Sequence, residues 1–123
     1  MPGPSLLLVE DEKALLSILT RYLERSGYRV DACETGQEAL ESVAAAPDDY
    51  DAIILDWNLP DLPGAEVLRR LLEASPRARI LISSGQPVAA ESVAPRYRSR
   101  VDALLKPFLP KMLEDTLRDL LAR

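Results

Sequence analysis

LLLVEDE (residues 6–12) and AIILD (residues 52–56) decide the fold. Each is a short apolar run that stops abruptly at acid: Glu10, Asp11 and Glu12 follow the first, and Asp56 follows the second. A strand wetted on one face alternates apolar and polar residues, whereas a strand covered on both faces is apolar throughout. These runs therefore predict strands of a parallel sheet with helices on both sides. The carboxylates fall at the strands' carboxyl ends.

Outward from these runs, short apolar stretches alternate with helical patterns along the whole chain. Strands are predicted over residues 6–9, 28–32, 52–55, 78–82 and Val101–Leu105. The first helix spans Lys13–Arg25, with Leu15, Leu16, Leu19, Tyr22 and Leu23 on one face and Gly27 as its C-cap. Thr35-Gly36-Gln37-Glu38 matches a capping box and opens a second helix that carries Ala39, Leu40 and Val43 towards Pro47. A third covers Gly64–Ala74, and the last starts with Pro110 in its first turn and carries Leu113, Leu117, Leu120 and Leu121. Between the fourth and fifth strands, residues 85–100 contain Pro87 and Pro95 and support only a short or irregular fourth helix. The rhythm is that of a doubly wound α/β domain with a five-stranded parallel sheet.

At 123 residues, the chain is expected to form a single domain over 1–123. An apolar fraction of 47% and a charged fraction of 28% are ordinary for a soluble protein. No apolar run reaches the ~20 residues of a membrane span. The opening MPGPS lacks the basic-then-apolar form of a leader, so cytoplasm is the expected location and no membrane partner is expected. The net charge of −5 argues against direct nucleic-acid binding. Cys33 is the only cysteine and is read as an inert thiol. With no histidine in the chain, imidazole bases and Ser–His triads are excluded, and chemistry must come from carboxylates, amines, hydroxyls or a hard metal ion.

In an open parallel sheet, ligands bind outside the carboxyl ends of the strands, where the strand order reverses. If the first and third strands are neighbours, Glu10, Asp11 and Asp56 converge there. Left alone they repel one another. A divalent cation resolves the repulsion, and oxygen-only ligands with room for water suit Mg²⁺. Ser83-Ser84-Gly85 closes the fourth strand with a hydroxyl and a glycine that lets backbone N–H groups approach a ligand, and Lys106-Pro107-Phe108 closes the fifth with a cation. Such a pocket can accept a phosphoryl group, with metal and ammonium spreading its charge.

These residues bring a known family into view. The acid pair Glu10-Asp11, the stretch DWNLPDLPG (residues 56–64), Ser84-Gly85 and Lys106-Pro107-Phe108 stand in order at consecutive strand ends. The chain resembles the response-regulator receiver domains of two-component signalling over essentially its whole length, and DWNLPDLPG is similar to the chemotaxis-type regulators. The resemblance implies a flavodoxin-like sheet of order 2-1-3-4-5. It implies Asp56 as phosphoacceptor from a histidine kinase or phosphotransfer protein. Asp11 and Asp56 would ligate Mg²⁺ directly, Glu10 through water and Asn58 through its backbone carbonyl. Ser84 would bond a phosphoryl oxygen and Lys106 would pair with it, across a cis Lys106–Pro107 bond. Asn58 and Gln86 would modulate dephosphorylation. Relatives often carry Tyr or Phe three residues before the lysine, as a ring that moves on activation; here that position is Ala103, beside the irregular 85–100 segment on the family's usual output face. The expected role is thus a signalling switch that catalyses only its own phosphorylation and dephosphorylation, with an unidentified downstream partner.

Other readings have their own residues. The acids after Val9 could be a solvated helix start, and Asp56 a turn former ahead of Asn58 and Pro60. A receiver inside a hybrid histidine kinase is a close variant. A Mg²⁺-dependent phosphatase with an aspartate nucleophile would commonly carry a second Asp at position 58, where Asn58 stands. A flavodoxin-like cofactor module is disfavoured by the anionic strand ends. Trp57 is read as a packing residue beside the site. Arg96, Arg98 and Arg100 are read as a solvated stripe, with a spacing that could place them on one side of a strand.

Overall fold

The computed structural model describes residues 3–123; Met1 and Pro2, which open the stretch read as lacking a leader, lie outside the described residues. Strands β1 (Ser5–Val9), β2 (Arg29–Cys33), β3 (Ala52–Asp56), β4 (Arg79–Ser84) and β5 (Val101–Leu105) alternate with helices α1 (Lys13–Arg25), α2 (Gly36–Ala45), α3 (Gly64–Ala74) and α4 (Pro110–Leu121). The strands form one five-stranded sheet in the order β2-β1-β3-β4-β5, and every neighbouring pair is parallel. The expected doubly wound architecture is borne out.

Two cores explain the unbroken apolar strands. Leu7, Val9, Ile53, Leu55, Ile80 and Ile82 pack on one side with Val43 of α2 and Leu68 and Leu71 of α3. Leu6, Leu8, Ala52, Ile54 and Leu81 pack on the other with Leu19 and Leu23 of α1 and Leu113 and Leu117 of α4. Each central strand must be apolar at every position because both its faces are buried. Half of the expected capping box forms: Thr35, the N-cap of α2, accepts through Oγ1 from the Glu38 N–H at 3.1 Å, whereas Glu38 Oε1 reaches one residue further back and accepts from the Glu34 N–H at 3.1 Å. Gly27 takes φ +101° past the end of α1, a conformation that glycine adopts without strain.

Strand limits differ from expectation for identifiable reasons. β2 starts at Arg29 because the Tyr28 N–H closes the turn after α1, donating to Leu23 O at 3.1 Å. β3 and β4 run past their last apolar residues to Asp56 and Ser84, since ladder bonds need only the backbone. Residues 85–100 hold two 3₁₀ turns, Ala90–Ser92 and Pro95–Arg100, in place of a regular fourth helix. Arg96, Arg98 and Arg100 thus lie on a 3₁₀ turn, not a strand. Nor is Arg100 part of a solvated stripe. Its guanidinium is half-buried and donates to Ser75 O at 2.7 Å and to Ala78 O at 2.7 Å, tying the start of β5 to the turn before β4.

Candidate functional site

Four strands deliver side chains to one edge of the sheet. β1 ends at Val9, and the Glu10 N–H continues the ladder to Cys33 O at 3.1 Å, which holds Glu10 in place beside β2. Glu10 Oε2 accepts from the Glu12 N–H at 3.0 Å, so this carboxylate is committed to the start of α1 rather than free in solvent. Because β3 is the other neighbour of β1, Asp56 at its end comes beside them. Glu10, Asp11 and Asp56 each offer a carboxylate oxygen, and these oxygens lie within 4.8 Å of one another. Glu10 is 3% exposed and Asp56 4%, while Asp11 is open to solvent.

Lys106, just past β5, reaches across this edge. Its Nζ donates to Glu10 Oε1 at 2.9 Å and stands 3.5 Å from Asp56 Oδ1. Asp56 Oδ1 also accepts from the Asn58 N–H at 3.2 Å. Burial pushes the Asp56 carboxyl up to about 6, with Asp11 and Glu10 adding to the rise; the Asn58 N–H and Lys106 oppose it. For Lys106, burial disfavours the ammonium, but the hydrogen bond to Glu10 and the charge of Asp56 outweigh it and raise its pKa. Three carboxylates with one ammonium leave negative charge for a cation to neutralise. The donors are all hard oxygens on an open edge, a set that fits Mg²⁺ with several waters retained.

Ser84 ends β4 and is buried; its Oγ accepts from the Gln86 N–H at 3.2 Å, and its carbonyl accepts from the Lys106 N–H at 2.7 Å. Trp57, Asn58, Ser84, Gln86 and Pro87 line a cleft of about 370 Å³ next to the carboxylates. On the opposite side, Glu12, Leu15, Lys106, Pro107 and Phe108 line another of about 420 Å³, and the Lys106–Pro107 bond is cis. Trp57 is half-buried against the α2/α3 core. A Cβ at Gly64 would stand 2.5 Å from Trp57 O, so the loop after β3 closes only over a glycine. Ala103 is not brought to the carboxylates. It is exposed on β5 and lines an apolar groove of about 240 Å³ with Ile82, Val88, Val93 and Val101.

A second acid in the same loop escaped sequence reasoning. Asp61 accepts from the N–H groups of Gly36 and Gln37, both at 2.9 Å, clamping the loop onto the first turn of α2. These hydrogen bonds hold its pKa down against burial, which raises it. No local pattern announces a cap supplied from a distant loop.

Residues 6–118 match the family model described as a response regulator receiver domain. The response regulator MprA of Mycolicibacterium vanbaalenii is 36% identical over 118 residues, covering 96% of this chain and 50% of that protein. MprA of Mycobacterium leprae is 37% identical, with 96% and 51% covered. The chain thus spans about half the length of the curated relatives it matches. A solved CheY-like receiver domain protein from Methanospirillum hungatei superposes with a TM-score of 0.82 at 25% identity, over 97% of this chain and 94% of that one. The receiver domain of the hybrid histidine kinase CckA gives 0.81 at 28% identity, over 95% and 98%.

Proposed function

The chain belongs to the response regulator receiver domain family, and we propose that it is the phosphoacceptor of a two-component relay, taking a phosphoryl group onto Asp56 from a histidine kinase or phosphotransfer protein. The observation that carries this reading is the meeting of Glu10, Asp11 and Asp56 within 4.8 Å under the Lys106 ammonium. Asp56 attacks the phosphorus of a phosphohistidine; its oxygen forms the new P–O bond while the P–N bond breaks and its electron pair returns to the imidazole. Bound Mg²⁺ would neutralise the carboxylates and the incoming phosphoryl oxygens, held by Asp11 and Asp56 directly, by Glu10 through water and by the Asn58 carbonyl. Lys106 pairs with the phosphoryl group, and Ser84 donates to one of its oxygens. Asn58 and Gln86, beside that position, modulate hydrolysis.

The domain extends over 1–123 and acts by conformational change or by passing phosphate onward. With no ring at Ala103, the readout runs through residues 85–100. Among the described residues, no helix is long and apolar enough to cross a membrane. A cytoplasmic location follows from the proposed kinase partner. A receiver within a hybrid kinase is the alternative, and the likeness to the CckA domain favours keeping it.

The test is incubation with acetyl phosphate, with and without Mg²⁺, read by intact mass. The wild type should gain one phosphoryl group only with Mg²⁺, and Asp56→Asn should gain none. Equal labelling of the two proteins would overturn the assignment.

A further inference from the structure

Ser83 carries a buried hydroxyl that bonds to nothing. The residue is 3% exposed, and its Oγ has no hydrogen-bond partner. Among the described residues, only the Thr20 hydroxyl on α1 shares that state. An orphaned hydroxyl in a core is a penalty that an aliphatic side chain at the same position would avoid.

Its position is specific. The ladder pairs Ser83 with Asp56 on β3 and with Leu104 on β5. Paired residues of neighbouring strands send their side chains out of the same face, so the Ser83 hydroxyl and the Asp56 carboxylate share one side of the sheet. Lys106, two residues beyond Leu104, shares it as well. β4 lies between β3 and β5. To stand 3.5 Å from Asp56 and 2.9 Å from Glu10, the Lys106 side chain must therefore cross the end of β4, on the face that Ser83 occupies.

We propose that Ser83 is a further positioning residue of this site: its hydroxyl engages the Asp56–Lys106 pair when a phosphoryl group arrives, accepting a hydrogen bond from the ammonium as it leaves Glu10. The inference rests on the phosphoacceptor reading. In the structure the short bond of Lys106 goes to Glu10. A phosphoryl group on Asp56 adds negative charge at the end of β3 and draws the ammonium back from Glu10 at the end of β1, towards β3 and the neighbouring β4. The Ser83 oxygen then accepts from Nζ, and its proton is free to turn towards the acyl oxygen of Asp56. The hydroxyl is thus unsatisfied in one state and satisfied in the other, which biases the site towards the phosphorylated arrangement.

The experiment compares Ser83→Thr with Ser83→Val, which have nearly the same shape and differ in the hydroxyl, together with Ser83→Ala, which cannot overpack. Each protein is labelled with acetyl phosphate and Mg²⁺, and its urea midpoint is measured with and without beryllofluoride. Ser83→Val should label roughly tenfold more slowly than Ser83→Thr, the effect of one charge-assisted hydrogen bond. Beryllofluoride should raise its midpoint by less. Ser83→Ala should label slowly while unfolding at the same urea concentration as the wild type or a higher one. The inference is overturned if Ser83→Val and Ser83→Thr label at the same rate and gain equally from beryllofluoride, since shape alone would then decide. Absence of label on the wild type itself would instead reject the phosphoacceptor reading, and this inference with it.

Discussion

Replacing Asp56 with Asn should make the metal-free protein more stable at neutral pH, although it removes the group on which the proposed function depends. Asp56 is 4% exposed, and its carboxyl lies with those of Glu10 and Asp11 within 4.8 Å. One ammonium serves them, 2.9 Å from Glu10 and 3.5 Å from Asp56. Burial, with the neighbouring carboxylates, lifts the Asp56 carboxyl from 3.8 to about 6. Because the folded-state value lies above the unfolded one, the folded chain binds more protons between them, and stability falls as pH rises through that window. A gap of about two units corresponds to roughly 2–3 kcal/mol lost by pH 8, of which only about half is lost at pH 5. An amide carries no such penalty, and its oxygen can still accept from the Asn58 N–H. In EDTA, Asp56→Asn should therefore exceed the wild type by roughly 2–3 kcal/mol at pH 8, and by about half that at pH 5. Urea unfolding followed by Trp57 fluorescence measures the difference directly, with an unchanged m-value showing that the unfolded states are comparable. Mg²⁺ should narrow the gap, because it binds the wild-type site better. The reasoning is wrong if the variant is no more stable at pH 8, or if its advantage is constant from pH 5 to pH 8.

Trp57 adjoins Asp56, so a Mg²⁺ titration should change its emission, and Asp11→Ala should weaken the apparent affinity at least ~10-fold by removing a direct ligand; a flat titration with calorimetric binding intact would refute the placement. Asp61→Ala removes two bonds at the start of α2 and should cost about 1 kcal/mol in urea unfolding, in the range of a lost helix cap. An unchanged midpoint would show the clamp to be energetically idle. Finally, beryllofluoride should turn Ser84 away from the Gln86 N–H, now at 3.2 Å, and speed hydrogen exchange at that amide and along residues 85–100. Unchanged exchange there, alongside a response in the loop after β3, would mean that the signal does not travel through this segment.

Much of this protein is legible without coordinates, because the relevant information is local. Uniform apolarity over residues 6–9 and 52–55 specifies burial on both faces, and helical spacing from Lys13 to Arg25 specifies one buried stripe. The helix cap at Thr35 and the turn at Gly27 are likewise set by neighbours in the chain. The acids and the lysine are visible as strand-end residues for the same reason. Tertiary structure decided what those residues meet. Glu10 and Asp56 share an edge because β1 and β3 are neighbours, and Lys106 crosses to them because β4 and β5 complete that side of the sheet. Bonds made over long sequence separations left no local trace: Asp61 clamps a helix begun far earlier in the chain, and Arg100 caps the carbonyls of Ser75 and Ala78. The orphaned state of Ser83 is the extreme case. A serine at a strand end has an ordinary composition and spacing; only the packing of β3, β4 and β5 around it determines that its hydroxyl is cut off from water and from every partner.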